Sequence, residues 1–116
     1  LLHAILVFVL LEKKAMPKRE SSFQSYIIRT LRAMVEPDGF VLVQDGSYIQ
    51  GFPDILILYK DRWAALECKR HIDAHEQPNQ RYYINLINEK MTFASFISPE
   101  NEEEVINDLQ QALRIR

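Results

Sequence analysis

The stretch GFPDILILYKDRWAALECKR, residues 51–70, decides how this chain is read. Two runs of strand-forming residues, PDILILYK and RWAALECK, meet at the polar pair Lys60-Asp61, the pattern of an antiparallel hairpin. Counting outward from that tip places Asp54 opposite Glu67, with Cβ atoms about 5 Å apart. Side chains alternate along a strand, so Glu67 and Lys69 share one face while Leu66 and Cys68 share the other. Unpaired charge is costly in a core strand. These charges therefore hold either one another or a group that the sequence does not contain.

The segments around the hairpin supply a mixed sheet with helices. ESSFQSYIIRTLRAMVE spaces Phe23, Ile27, Leu31 and Met34 at helical intervals, with Tyr26 and Ile28 widening the apolar face, and Pro37-Asp38-Gly39 ends it. FVLVQ reads as a strand, Asp45-Gly46 as a tight turn and SYIQG as a returning strand. After the hairpin, HIDAHEQPN is a loop and QRYYINLINEK a helix through Tyr83, Leu86 and Ile87, with Ile84 widening its face. TFASFIS is a strand. Ser98-Pro99-Glu100 opens the last helix with Ser98 as N-cap, and Glu102, Glu103 and Glu104 form a solvated acidic start near its positive end. The order is helix, three or four strands, helix, strand, helix, an α/β arrangement.

With 116 residues and a net charge of −2, the chain suits one core and shows no overall excess of basic residues. One cysteine, Cys68, excludes an internal disulfide and suits a reducing, cytoplasmic setting. The apolar block LLHAILVFVLL is too short to span a bilayer comfortably, so no membrane role is expected. Residues 1–15 are either an extension outside the domain or an added element at a dimer interface, with the domain proper at 16–116.

Two carboxylates as close as Asp54 and Glu67 repel unless a proton or cation intervenes. Oxygen donors in small number suit Mg²⁺ or Mn²⁺, with water and substrate phosphate completing the shell. Lys69, two residues along on the same face, would stabilise a negative transition state or position an attacking water. That is equipment for metal-assisted phosphodiester hydrolysis. The competing reading has Asp54 capping a turn and Glu67 pairing with Lys69 or Arg70 on a solvated sheet face. A zinc site strung from Cys68, His71 and His75 is a further alternative, opposed by a thiol on the other strand face and by the lack of a nearby fourth ligand.

GFPD, then ECK, then a helix opened by QRYYINLI resembles the PD-(D/E)XK nuclease superfamily, most closely its virus-type replication-repair nuclease (VRR-NUC) branch, over residues 20–113. The resemblance implies a restriction-endonuclease-like core of order α-βββ-α-β-α. It makes Asp54 and Glu67 metal ligands and Lys69 the catalytic lysine. It adds the Cys68 carbonyl as a ligand, Glu20 as a ligand from the first helix, and Gln80 as the helix glutamine that supports the site. Glu20 reads equally as an acidic residue favoured at a helix start. Gln77 is the rival to Gln80, and Gln50 stands where the family often has a basic residue.

Basic residues that would follow a nucleic-acid backbone are Lys13, Lys14, Lys18 and Arg19, then Arg29 and Arg32 on one helix face, then Arg70, His71 and Arg81 around the site. Tyr82 and Tyr83 offer one ring for base stacking and at least one for the core. The resulting expectation is a Mg²⁺/Mn²⁺-dependent, structure-selective DNA endonuclease acting on branched or Holliday-junction DNA, working as a homodimer. The alternatives are a non-catalytic DNA-binding or assembly module on the same fold, and a sequence-specific restriction-type endonuclease.

Overall fold

The computed structural model describes residues 20–45 and 48–115, without the side chains of Glu20 and Ser21. Residues 1–15, Lys18, Arg19 and Gly46 of the Asp45-Gly46 turn lie outside the described residues. The elements are α1 (Glu20–Val35), β1 (Gly39–Val43), β2 (Ile55–Tyr59), β3 (Arg62–Cys68), α2 (Gln80–Lys90), β4 (Phe93–Ile97) and α3 (Glu102–Leu113). They form an α/β fold on one four-stranded mixed sheet in the order β1-β2-β3-β4.

β1–β2 and β2–β3 are antiparallel, and β3–β4 is parallel. The hairpin turns at Lys60-Asp61 with Tyr59 facing Arg62 and Ile55 facing Leu66, the register expected from the sequence. Lys60 has φ 55°, which lets the chain reverse within two residues. The parallel partner needs a crossover, and α2 supplies it.

Strand alternation divides the core between the two sheet faces. Ile55, Ile57, Leu66, Cys68 and Ile97 pack under α1 and α3, against Phe23, Tyr26, Ile27, Leu31 and Leu109. On the opposite face Ala65, Ala94 and Phe96 pack under Ile84 and Ile87 of α2. Burying a large aliphatic side chain of the first set stabilises the fold by about 1.5–3 kcal/mol. α2 does not cover the sheet as far as β1, where Phe40 remains 68% exposed and Leu42 and Leu58 are also exposed. Gly39 is required by proximity, because a Cβ there would lie 2.2 Å from the Leu58 carbonyl oxygen.

Three expectations are corrected. Of SYIQG, the described residues 48–51 form bends and a turn rather than a strand, with Tyr48, Ile49 and Gln50 exposed. The N-cap of α3 is Asn101, three residues beyond Ser98. Ser98 is buried, and its N–H and Oγ donate to Asn101 Oδ1 at 2.8 and 3.2 Å. With the helix starting at 102, the first glutamate of the acidic run turns inward. Glu102 is 3% exposed and accepts a 2.6 Å hydrogen bond from the Tyr26 hydroxyl of α1, while Glu103 and Glu104 stay in solvent.

That bond ties α3 to α1, and the positive end of α3 favours the carboxylate. Tyr26→Phe removes the hydroxyl donor from a buried charged group and is expected to cost about 1.5–3 kcal/mol. Urea unfolding measures the loss. A midpoint equal to that of the parent chain would show the bond to be of no consequence.

Candidate metal and phosphate site

The site grows from the open end of the hairpin. Beyond the Ile55–Leu66 pair, the Asp54 N–H donates to Glu67 Oε1 at 3.2 Å, which continues the strand register by one residue through a side chain. Gln44, just after β1, holds the same end from the other side. Its N–H donates to the Asp54 carbonyl at 2.9 Å and its Nε2 to the Pro53 carbonyl at 2.6 Å. Gln24 of α1 donates through Nε2 to Asp54 Oδ2 at 2.7 Å. The aspartate is therefore oriented from β1, β3 and α1 together.

Glu67 and Lys69 are each 7% exposed, on the α2 face of the sheet, while the Cys68 side chain is buried on the other face. The solvated sheet face required by the competing reading is therefore absent at these positions. The Lys69 N–H donates to the Ile97 carbonyl at 2.8 Å and so prolongs the parallel ladder with β4. Its ammonium donates to Gln80 Oε1 at 2.7 Å and to the His75 carbonyl at 3.0 Å. A buried ammonium is tolerated where such acceptors replace water.

Gln80 is itself buried and is the first residue of α2. Its Oε1 also accepts from the Gln77 N–H at 2.8 Å, which closes the turn before the helix. The rival glutamine, Gln77, is exposed and contributes only its backbone. Gln50 is likewise exposed.

The structure thus brings Asp54, Glu67, Lys69 and Gln80 to one end of the sheet. Glu20 begins α1, one helical turn before Gln24, but its side chain lies outside the description. Gln24 and Gln44 are the contributors that sequence reasoning missed. Gln24 follows Phe23 on the flank of the apolar stripe of α1, and that placement was the only available signal.

The remaining candidates disperse. His71 Nδ1 lies 3.4 Å from Asp73 in an exposed turn, and Arg70 is exposed. Arg81 is paired with Glu76 through two nitrogens. Arg29 and Arg32 are exposed on α1. Tyr83 is half-buried against Phe52 at 5.5 Å, whereas Tyr82 is exposed.

Among the described residues no three His, Cys, Asp or Glu side chains converge on one point. Among the described residues the neighbouring donors are the carboxylates of Asp54, just before β2, and Glu67 of β3, while the Cys68 thiol is buried on the other face. Such an all-oxygen pair is the donor type taken by Mg²⁺ or Mn²⁺, which keep water and substrate oxygens in their shells. No helix among the described residues is long and apolar enough to cross a membrane. No family model, no curated protein and no solved structure matches the chain.

Proposed function

We propose that the chain is a Mg²⁺- or Mn²⁺-dependent nuclease that hydrolyses phosphodiester bonds in DNA, built on a restriction-endonuclease-like core. The observation that carries this reading is the contact between the Asp54 N–H and Glu67 Oε1, with Lys69 buried two residues further on the same face. Asp54 and Glu67 would hold the ion, with the Cys68 carbonyl and the Glu20 carboxylate as further ligands from the resemblance. When bound, the ion supplies Lewis-acid polarisation of a phosphate oxygen and makes water a better nucleophile.

The protein's own groups supply the rest. Lys69 places a fixed positive charge where negative charge grows on the phosphate in the transition state. Gln80 and the His75 carbonyl hold the ammonium in place, so little reorganisation is needed as the reaction proceeds. Gln24 orients Asp54 through Oδ2. Substrate selection is proposed to follow DNA shape, with branched or four-way DNA preferred. Cutting two strands with one site per chain calls for a homodimer.

Linear, flapped and four-way DNA incubated with the protein should be cut only when Mg²⁺ or Mn²⁺ is present, and chelation should stop the reaction. Lys69→Met is expected to slow cleavage by about 10²–10³-fold, the range for loss of one preorganised electrostatic group. Metal-independent cutting would overturn the proposal. DNA binding that survives alteration of Asp54 or Glu67, with no cutting under any condition, would mark a non-catalytic module instead. Cleavage confined to one duplex sequence would point to a restriction-type enzyme.

A further inference from the structure

A cleft of about 320 Å³ opens beside Lys69, between α2, β4 and the loop that follows β3. Ala94 and Phe96 form an apolar floor, and Ile84 of α2 closes one side. The Arg81 guanidinium lies over the Phe96 ring at 4.6 Å, and the Lys69 ammonium approaches the same ring at 5.7 Å. A group bound here would sit directly beside the lysine assigned to the reacting phosphate.

Most of the polar capacity of the walls is already used. Asn88 exchanges two hydrogen bonds with the Ala94 backbone, at 2.6 and 2.9 Å. Asn101 donates to the Phe96 carbonyl at 3.2 Å and accepts from Ser98. Lys69 serves Gln80 and His75, and Arg81 Nε and Nη2 bind Glu76. Two features stay open: the exposed amide of Asn85 and the Arg81 side chain, which is 58% exposed.

Glu76 offsets the charge of Arg81, so this cleft is poorly matched to a bare anion. A guanidinium plane backed by an aromatic ring, with a neutral amide beside it, matches a flat, uncharged group with donors and acceptors on its edge. Splayed-out nucleobases are bound in this manner on arginine planes and aromatic rings. We infer that the cleft receives one unpaired nucleobase adjacent to the phosphate at Lys69, with Arg81 as the stacking surface and Asn85 as the edge contact. The inference rests on the nuclease reading and specifies its substrate class. A base within an intact duplex must first leave its stack, so the cleft favours DNA with an unpaired nucleotide next to the cut.

The test uses the full chain and two independent readouts. In the first, NMR follows the Arg81 Nε–H and Asn85 side-chain amide signals during addition of a single-stranded trinucleotide. The controls are the same trinucleotide without its central base, and inorganic phosphate. The complete trinucleotide should move both signals and the controls should not. Asn85→Ala, at an exposed position, should weaken its binding about tenfold, within the range that one base contact is worth. Equal shifts with the abasic strand or with phosphate would make the cleft an anion site and overturn the inference, as would no shift with any ligand.

In the second readout, flapped DNA is cut with and without the base beside the scissile bond. Removing the base should slow the parent chain by at least about tenfold and Asn85→Ala by a smaller factor, since only the stacking contact on Arg81 remains to be lost in the variant. An identical base-to-abasic ratio in the two proteins would overturn the inference. Absence of all cutting would bring down the nuclease reading, and the NMR result would still decide the cleft.

Discussion

Glu67→Gln is expected to abolish metal-dependent DNA cleavage, with a loss of at least about 10³-fold, while leaving the protein folded. The amide is nearly isosteric and keeps an oxygen to accept the Asp54 N–H, so the hairpin end retains its 3.2 Å contact. What changes is charge. A neutral amide is a far weaker ligand for a hard cation than a carboxylate, so the ion's affinity should fall with activity. Three measurements separate the possibilities: circular dichroism for the fold, calorimetry for Mn²⁺ binding, and cleavage of branched DNA for turnover. Unchanged cleavage would remove Glu67 from the centre. Loss of cleavage together with unfolding would not support it, and Glu67→Asp, which keeps the charge and withdraws it by one methylene, then supplies the decisive comparison: partial activity with high Mn²⁺ is expected.

Gly51→Ala should destabilise the fold and disturb the candidate site together. Gly51 has φ +86°, a conformation that costs an L-residue about 1–2 kcal/mol. A Cβ there would also meet the Pro78 carbonyl oxygen at 2.5 Å and Asn79 Cβ at 2.7 Å. Those neighbours are backbone and the residue that immediately precedes α2, itself at φ 71°, so they cannot yield independently of the helix. The added methyl therefore pushes on the start of α2, where Gln80 holds Lys69. The expected result is a melting temperature lower by roughly 10 °C, given 4–8 °C per kcal/mol in a domain of this size. Cleavage should be impaired even well below the melting temperature. An alanine variant with the melting point and activity of the parent would contradict this account of the glycine.

The two positions differ in how readily the sequence discloses them. The hairpin register that brings Asp54 beside Glu67 was legible because a two-residue tip and a two-residue side-chain period leave one alignment between β2 and β3. The same periodicity separated Cys68 from Glu67 and Lys69. The helices were legible from their apolar stripes, although α3 begins three residues later than its serine suggests, because Asn101 spends its side chain on Ser98 and Phe96. Contacts between distant parts of the chain were not legible. Tyr26 and Glu102 lie 76 residues apart, and nothing local distinguishes Glu102 from Glu103 until α3 is docked on α1. Gln24 and Asp54, 30 residues apart, present the same difficulty. The returning strand read from SYIQG does not form over residues 48–51, where exposed Tyr48 and Ile49 lack the buried face that strand propensity takes for granted.

The two halves of the site are wired into the chain differently. Asp54 and Glu67 are joined by a tight reversal and meet within the hairpin, with Gln24 and Gln44 bracing the aspartate from outside it. Lys69 gains Gln80 only once the crossover helix has settled on the sheet. Partial opening that lifts α2 while sparing the hairpin would therefore leave the acid pair without the lysine clamp beside it. On the proposed reading, capture of an ion and turnover of a substrate would be separable, with the helix as the part that couples them.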